Sequence, residues 1–235
     1  MRLDKFISYA LNVTRSEAKN LIRKGEIYVN ETIIQKSDFT LDLNQDEVYF
    51  QEKVLNYQEF VYLMLNKPAG FVSSRKDETY PSVLNLISGY EKYKLFIAGR
   101  LDADSEGLLL VTNDGALTHR LTSPNYHYPK KYYVQVNGEF SDSDRELFQK
   151  GMWLEDGKGN DYFTKPAKLE ICSRNEAFIT IYEGKFHQVK RMCEHVGKEV
   201  FRLVRTAIGP LELDLELKSG EFRPLSRKEI EILKK

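Results

Sequence analysis

Between Gly99 and Gly107 the chain places Arg100, Asp102, Asp104, Ser105 and Glu106, side chains able to bind anions, hold cations or exchange protons. Phe96, Ile97 and Ala98 lead into this stretch and Leu108 to Val111 lead out, both as short apolar runs that read as buried strands. A polar loop held between buried strands is a place where a fold can aim a carboxylate with little freedom. Glycine at either edge permits backbone angles or close approaches that other residues resist. Spacing alone leaves three readings open: a solvated acidic turn, a catalytic carboxylate, or Asp102-x-Asp104 as a magnesium-binding pair for phosphoryl transfer.

The elements that must position this loop belong to a chain of 235 residues, 41% hydrophobic and 30% charged, long enough for two domains with real cores. No run approaches the ~20 apolar residues of a membrane span. The start, Met1-Arg2-Leu3-Asp4-Lys5, lacks the apolar core of a signal peptide, so a cytoplasmic location and no membrane partner are expected. Two cysteines, Cys172 and Cys193, form no disulfide framework and are expected as reduced thiols. His187, Cys193 and His195 match no common zinc spacing, and no metal site is expected. Formal net charge is zero, yet the charges are segregated. Residues 1–24 carry six Lys/Arg against two acids, whereas residues 25–57 carry two against seven. Residues 119–131 hold Arg120, Lys130 and Lys131 with no acid, and residues 184–205 hold six basic residues against two acidic ones. Local basic patches attract phosphate even when the total cancels.

Leu3, Phe6, Ile7 and Ala10 share one helical face, and Thr14-Arg15-Ser16-Glu17 has the form of a capping box opening a second helix with Ala18, Leu21 and Ile22 inward. Arg15, Lys19 and Arg23 then line its outer face, with Arg2, Lys5 and Lys24 close by in sequence. Short strands follow at 27–29, 33–34 and 48–50, and residues 54–60 read as a linker. A strand over 61–65 ends at the turn Asn66-Lys67-Pro68-Ala69-Gly70. Asn113-Asp114-Gly115 can turn and cap a helix carrying Leu117 and Leu121, and residues 130–136 read as a strand. Ser141 opens a helix with Leu147 and Phe148 inward, and residues 167–182 form a hairpin. Phe186, Val189, Cys193 and Val196 predict the core face of a helix stopped by Gly197, and Ser226 with Glu229 caps a terminal one.

The run from Gly99 through Arg100, Leu101 and Asp102 to Thr112, Asn113, Asp114 and Gly115 resembles the catalytic motif of the RNA pseudouridine synthases, specifically their small-subunit ribosomal RNA branch, the RsuA type. Asn66-Lys67-Pro68-x-Gly70 is similar to the branch's first motif, Lys130-x-Tyr132-x-Val134 to its second, and the segment from Glu183 to Met192 to its third. Arg2 to Ile7, Thr14 to Lys19 and Gly25 to Asn30 resemble the S4 RNA-binding domain. The resemblance runs through essentially the whole chain, with the motifs in the same order.

The resemblance implies a mixed α/β protein: a small S4-like domain with its linker over 1–57, then an α+β catalytic domain over 58–235 on a mixed, mainly antiparallel sheet. It implies isomerisation of a uridine to pseudouridine in ribosomal RNA, most simply 16S RNA of the small subunit, with no cofactor. Asp102 is then the catalytic residue, attacking the nucleotide or assisting departure of the base, and Tyr132 stacks on the uracil. Lys190 is expected to pair with Asp102, with Arg191 the second choice. Arg100 and Arg205 are expected to hold neighbouring phosphates, and Arg2, Lys5, Arg15, Lys19 and Arg23 to contact structured RNA. The expected partner is ribosomal RNA or a small-subunit assembly intermediate, met by a monomer. The alternatives are a large-subunit (23S) synthase of the same family and a non-catalytic RNA-binding assembly protein. A magnesium-dependent phosphotransferase would explain Asp102-x-Asp104, but the chain shows no Gly-rich phosphate loop.

Overall fold

The computed structural model describes residues 1–123, 126 and 128–234. It divides into two compact units, Met1–Phe60 and Val61–Lys235, so the first unit ends three residues beyond the expected position 57.

In the first unit, α1 (Leu3–Ala10) and α2 (Arg15–Arg23) precede a four-stranded sheet of β1 (Ile27–Val29), β2 (Thr32–Ile33), β3 (Val48–Phe50) and β4 (Lys53–Leu55) in the order β2-β1-β3-β4. The capping box at α2 is formed in full: the Glu17 amide donates to the Thr14 hydroxyl at 3.2 Å, and the Thr14 amide to the Glu17 carboxylate at 2.7 Å. Leu3, Phe6, Ile7, Ala18, Ile22, Ile27, Val29 and Val48 make one core. Strand β4 replaces the start of the expected linker, because residues 53–55 pair antiparallel with β3.

The second unit contains β5 (Tyr62–Lys67), β6 (Phe96–Ala98), β7 (Glu106–Thr112), α3 (Gly115–Thr122), β8 (Lys130–Asn137), α4 (Asp142–Lys150), β9 (Trp153–Glu155), β10 (Asp161–Phe163), β11 (Lys168–Ser173) and β12 (Glu176–Ile181). It closes with α5 (Gln188–His195), β13 (Glu199–Ile208), β14 (Leu211–Glu212), β15 (Phe222–Pro224) and α6 (Arg227–Lys234). Among the described residues the main sheet has nine strands, with the path β11-β12-β8-β13-β7-β5-β15 and β6 and β14 attached to β7 and β13. The pairing of β13 with β7 is parallel and the others are antiparallel, giving a mixed, mainly antiparallel sheet. Side-chain alternation along these strands covers both faces. Leu109, Val134, Ile179 and Leu203 pack with Phe148 of α4 and Met192 and Cys193 of α5. Met64, Leu108, Leu110 and Ile208 pack with Leu117 and Leu121 of α3 and Leu233 of α6.

Two expected core positions are solvent-facing. Leu147 on α4 is exposed while its neighbour Phe148 is buried, since adjacent helical positions point about 100° apart. Phe186 is 53% exposed because α5 begins only at Gln188, so the helical periodicity does not extend back to it.

Candidate active site

Strands β6 and β7 pair with each other, Phe96 opposite Thr112 and Ala98 opposite Leu110, so the acidic stretch is the loop of a hairpin. At its far edge Gly107 has φ +99°. A Cβ there would collide with the carbonyl oxygen of Arg205 and lie 2.8 Å from its amide nitrogen. Glycine is thus what lets β7 run against β13 at this point.

The loop's backbone is tied down almost group by group. The buried guanidinium of Arg205 (1% exposed) donates to the carbonyls of Gly99 at 3.1 Å, Arg100 at 3.1 Å and Leu108 at 2.8 Å. The Ser73 hydroxyl donates to Leu101 at 2.8 Å and accepts from the Leu101 amide at 3.0 Å. The Asp102 carbonyl accepts from the Ser105 amide. The ammonium of Lys67, fully buried, donates to the carbonyls of Ala103 at 3.2 Å, Ser105 at 2.6 Å and its neighbour Pro68 at 3.0 Å. Each carbonyl from Gly99 to Ala103 is therefore held, and buried cations grip the loop at both ends. Burial pushes the Lys67 ammonium down to about 8, against the opposing pull of the Asp104, Asp102 and Glu106 carboxylates. Lys130, at the start of β8, is also pushed below its ordinary range, first by burial and then by the charge of Arg205.

From this fixed backbone two carboxylates emerge with different neighbours. Asp102 is half-buried, its Oδ1 3.4 Å from Nε2 of His187. Asp104 is more exposed, and Lys190 Nζ lies 2.6 Å from both of its carboxylate oxygens. Desolvation by surrounding protein would raise the Asp104 carboxyl, but the Lys190 hydrogen bonds and charge outweigh it and hold it below the usual carboxylate range. The pairing expected between Lys190 and Asp102 is made with Asp104 instead, because α5 brings the ammonium to the second carboxylate of the loop. Arg191, the second choice, donates to the Glu155 carbonyl and lies over the Phe186 ring. Arg205 is corrected too. It is a buried brace for the loop, with all three guanidinium nitrogens on backbone carbonyls, and no surface contact for phosphate.

Tyr132 stands on β8 directly opposite Arg205 of β13, and Arg205 opposite Gly107 of β7, so the sheet register brings the tyrosine within two strands of the loop's edge. Its side chain is 7% exposed and part of the core beside Leu101. Arg100 is exposed. Among the described residues no group of three or more His, Cys, Asp or Glu is placed to hold a metal ion.

In the first unit, Arg2 and Arg15 both clamp the buried carboxylate of Asp4, each at 2.9 Å, while their guanidiniums remain partly open to solvent. Lys5 lies 3.8 Å from Glu59, Lys19 is half-buried and Arg23 exposed. The tail of the loop motif is structural. The Thr112 hydroxyl donates to the Val61 carbonyl at 2.6 Å, Asn113 accepts from the Val61 amide at 2.8 Å, and Asp114 caps α3 while accepting from the Tyr62 hydroxyl at 2.8 Å. Sequence reasoning missed Lys67 and His187 as members of the site. Lys67 stood inside a motif and was readable only as part of a turn; His187 carried no signal beyond its place in the third motif.

A sequence profile of RNA pseudouridylate synthases matches residues 61–195, and one of the S4 domain matches residues 1–47. The chain belongs to the RNA pseudouridylate synthase family. Over 230 residues it is 41% identical to the ribosomal small subunit pseudouridine synthase A of Escherichia coli, covering 98% of each chain. It is 41% identical over 236 residues to the protein of the same name from Haemophilus influenzae, covering 100% of each. A crystal structure of a pseudouridylate synthase superposes with a TM-score of 0.70 at 40% identity, covering 99% of both chains. The chain is accordingly an RNA isomerase, carrying an S4 domain ahead of its synthase domain. No helix among the described residues is long and apolar enough to cross a membrane.

Proposed function

We propose that this protein converts one specific uridine of 16S ribosomal RNA to pseudouridine, with Asp102 as the catalytic carboxylate. The observation that carries the reading is the hairpin loop whose backbone is fixed by Arg205, Ser73 and Lys67 while the Asp102 carboxylate is left half-exposed. A carboxylate on a preorganised loop needs little rearrangement to meet a reacting sugar or base. Full-length similarity to proteins named for the ribosomal small subunit supports the 16S target over the large-subunit alternative.

The reaction breaks the bond from C1′ to N1, turns the uracil, and joins C1′ to C5. The proton lost from C5 balances the one gained at N1, so the step consumes no oxidant and no nucleotide. Tyr132 lies under the turning base, and the target nucleotide leaves its stack to reach the loop. Asp104 and Lys190 form an ion pair beside Asp102 that orders the rim of the site. Arg100 together with Lys5, Lys19 and Arg23 supplies phosphate contacts, with Arg2 and Arg15 contributing the solvent-facing part of guanidiniums already bound to Asp4. The substrate is ribosomal RNA in the cytoplasm, as the RNA itself or within a small-subunit assembly intermediate, and the protein acts on it as a monomer.

The test is nucleotide-resolution mapping of pseudouridine in ribosomal RNA from cells with the protein, without it, and with Asp102→Asn in its place. The expected result is one 16S position that is modified only with the wild-type protein. A modified site confined to 23S RNA would move the substrate to the large subunit, and a site still modified by Asp102→Asn would remove that residue from the chemistry.

A further inference from the structure

His187 is held in place from several sides. Its backbone is left-handed, φ 50° and ψ 27°, at the residue immediately before α5. The turn that presents it is tied by Gln188, which accepts from the Lys185 amide at 3.0 Å and donates to Glu183 at 2.7 Å. The imidazole lies flat on the Phe186 ring, centroids 3.8 Å apart and planes 18° from parallel. Phe186 is in turn covered by the Arg191 guanidinium at 5.3 Å and rests on Gly157, where even a Cβ would lie 3.0 Å from the ring. An exposed phenylalanine is thus used as a shelf for an imidazole. The shelf places Nε2 3.4 Å from Oδ1 of Asp102, close enough to pair but not aligned as a hydrogen bond. The charged groups around it are Asp102 and Asp104 on the loop and Lys190 and Arg191 on α5, and Lys190 is already engaged with Asp104.

We propose that His187 is the positioning residue of Asp102: its Nε2–H donates to Oδ1 and fixes the carboxylate's rotation, leaving Oδ2 for the nucleotide. The inference rests on the reading of Asp102 as the catalytic carboxylate. The contact is both longer and less well aligned than a settled N–H···O bond, and catalytic hydrogen bonds often reach their full geometry only in the complex with substrate. A group that holds a reacting carboxylate acts on the rate of the chemical step and leaves RNA affinity, set by the phosphate contacts, in place.

The experiment is steady-state and single-turnover pseudouridine formation by His187→Asn, His187→Gln, His187→Gly and Asp102→Asn. Asparagine tolerates the left-handed backbone but is too short to place a donor where Nε2 stands, whereas glutamine reaches it. His187→Asn is expected to lose about tenfold or more in kcat with KM within about twofold, and His187→Gln to recover part of that loss. Glycine accepts the positive φ and leaves a space on Phe186, so added imidazole is expected to raise the turnover of His187→Gly and to do nothing for wild type. A folded His187→Asn with wild-type kcat, a change confined to KM, or a His187→Gly protein of low turnover that imidazole does not restore would overturn the proposal. Asp102→Asn separates the two readings. Activity in that variant removes the catalytic role of Asp102, while its inactivity beside a fully active His187→Asn removes only the role of His187.

Discussion

Lys190 holds both carboxylate oxygens of Asp104 at 2.6 Å, and this ion pair joins the hairpin loop between β6 and β7 to helix α5. The loop's two aspartates are therefore not interchangeable. Asp102→Asn keeps the volume and the fixed backbone but removes the charge, and turnover should fall below detection with RNA binding retained. Asp104→Asn removes only the partner of an ammonium at the rim. It should cost roughly tenfold, about 1.4 kcal/mol of barrier, with little change in the melting temperature. Single-turnover rates of both variants on the same RNA check the ordering. Equal losses at the two positions would restore the reading of Asp102 and Asp104 as a metal-binding pair.

Arg205 should behave as a brace and not as an RNA contact. Replacing it with Met leaves the carbonyls of Gly99, Arg100 and Leu108 without their donors in a buried site. The destabilisation should be on the order of 3 kcal/mol, visible in denaturant unfolding. Activity should fall along with it as the loop loosens, while the dependence of RNA binding on salt stays that of wild type. A flattened salt dependence with unchanged stability would show a phosphate contact after all.

These two cases mark what a sequence can and cannot express. The capping boxes at Thr14 and Ser226 were legible because both partners lie within one helical turn. The position of the loop was legible because its glycines and flanking apolar runs are contiguous. The destinations of Lys190 and Arg205 were not, since they reach 86 and 97 residues back along the chain to their partners. The motif points Lys190 to Asp102 and the charge of Arg205 to phosphate, and only the packing of α5 and β13 decides that one meets Asp104 and the other is buried. The hairpin of β9 and β10 is illegible for a different reason: its strands have three residues each, and a single buried Leu154 between exposed neighbours is too short an alternation to read as a strand. Thr112, Asn113 and Asp114 were legible as a motif but not as scaffold, because their partners Val61 and Tyr62 lie on β5 or at its edge.

Gly107→Ala tests the parallel contact between β7 and β13. The new methyl would meet the backbone of Arg205, which cannot swing aside as a side chain could, in a backbone of φ +99°. A loss of about 3 kcal/mol is expected, with the loop's activity falling alongside. A variant as stable as wild type would show that the two strands can separate at little cost.

Lys67 gives a dependence on pH. Its ammonium, at about 8 in the folded protein, titrates near 10.4 in an unfolded chain. Between those values the unfolded state binds more protons, so stability contributed by Lys67 rises with pH across that window and is lost as pH falls through about 8. Lys67→Met has no such titration. The unfolding free energy of wild type minus that of Lys67→Met should shift toward wild type between pH 8 and pH 10, by on the order of 3 kcal/mol in full. A difference that stays constant across those pH values would mean that the ammonium keeps its proton in the folded loop.

The S4-like unit yields a prediction about affinity, in which the cations of α2 separate into two kinds. Arg15 binds the carboxylate of Asp4, a side chain 1% exposed, which Arg2 holds from the other side. Arg15→Glu would set a second carboxylate against a buried one, so it should lower stability, and any loss of RNA binding would be confounded by it. Lys19 is half-buried and Arg23 exposed. The double variant Lys19→Glu, Arg23→Glu should therefore stay folded with the melting temperature of wild type. Phosphate contacts act through released counterions, so this variant should raise KM for ribosomal RNA and reduce the slope of binding against log salt by about one for each contact removed. Turnover at saturating RNA should be unchanged, because Asp102 lies in the other unit. Steady-state pseudouridine formation over a range of salt concentrations measures all three quantities. An unaltered KM and salt slope would show that the outer face of α2 is a solvated surface, and would shift the electrostatic part of RNA binding to the synthase domain.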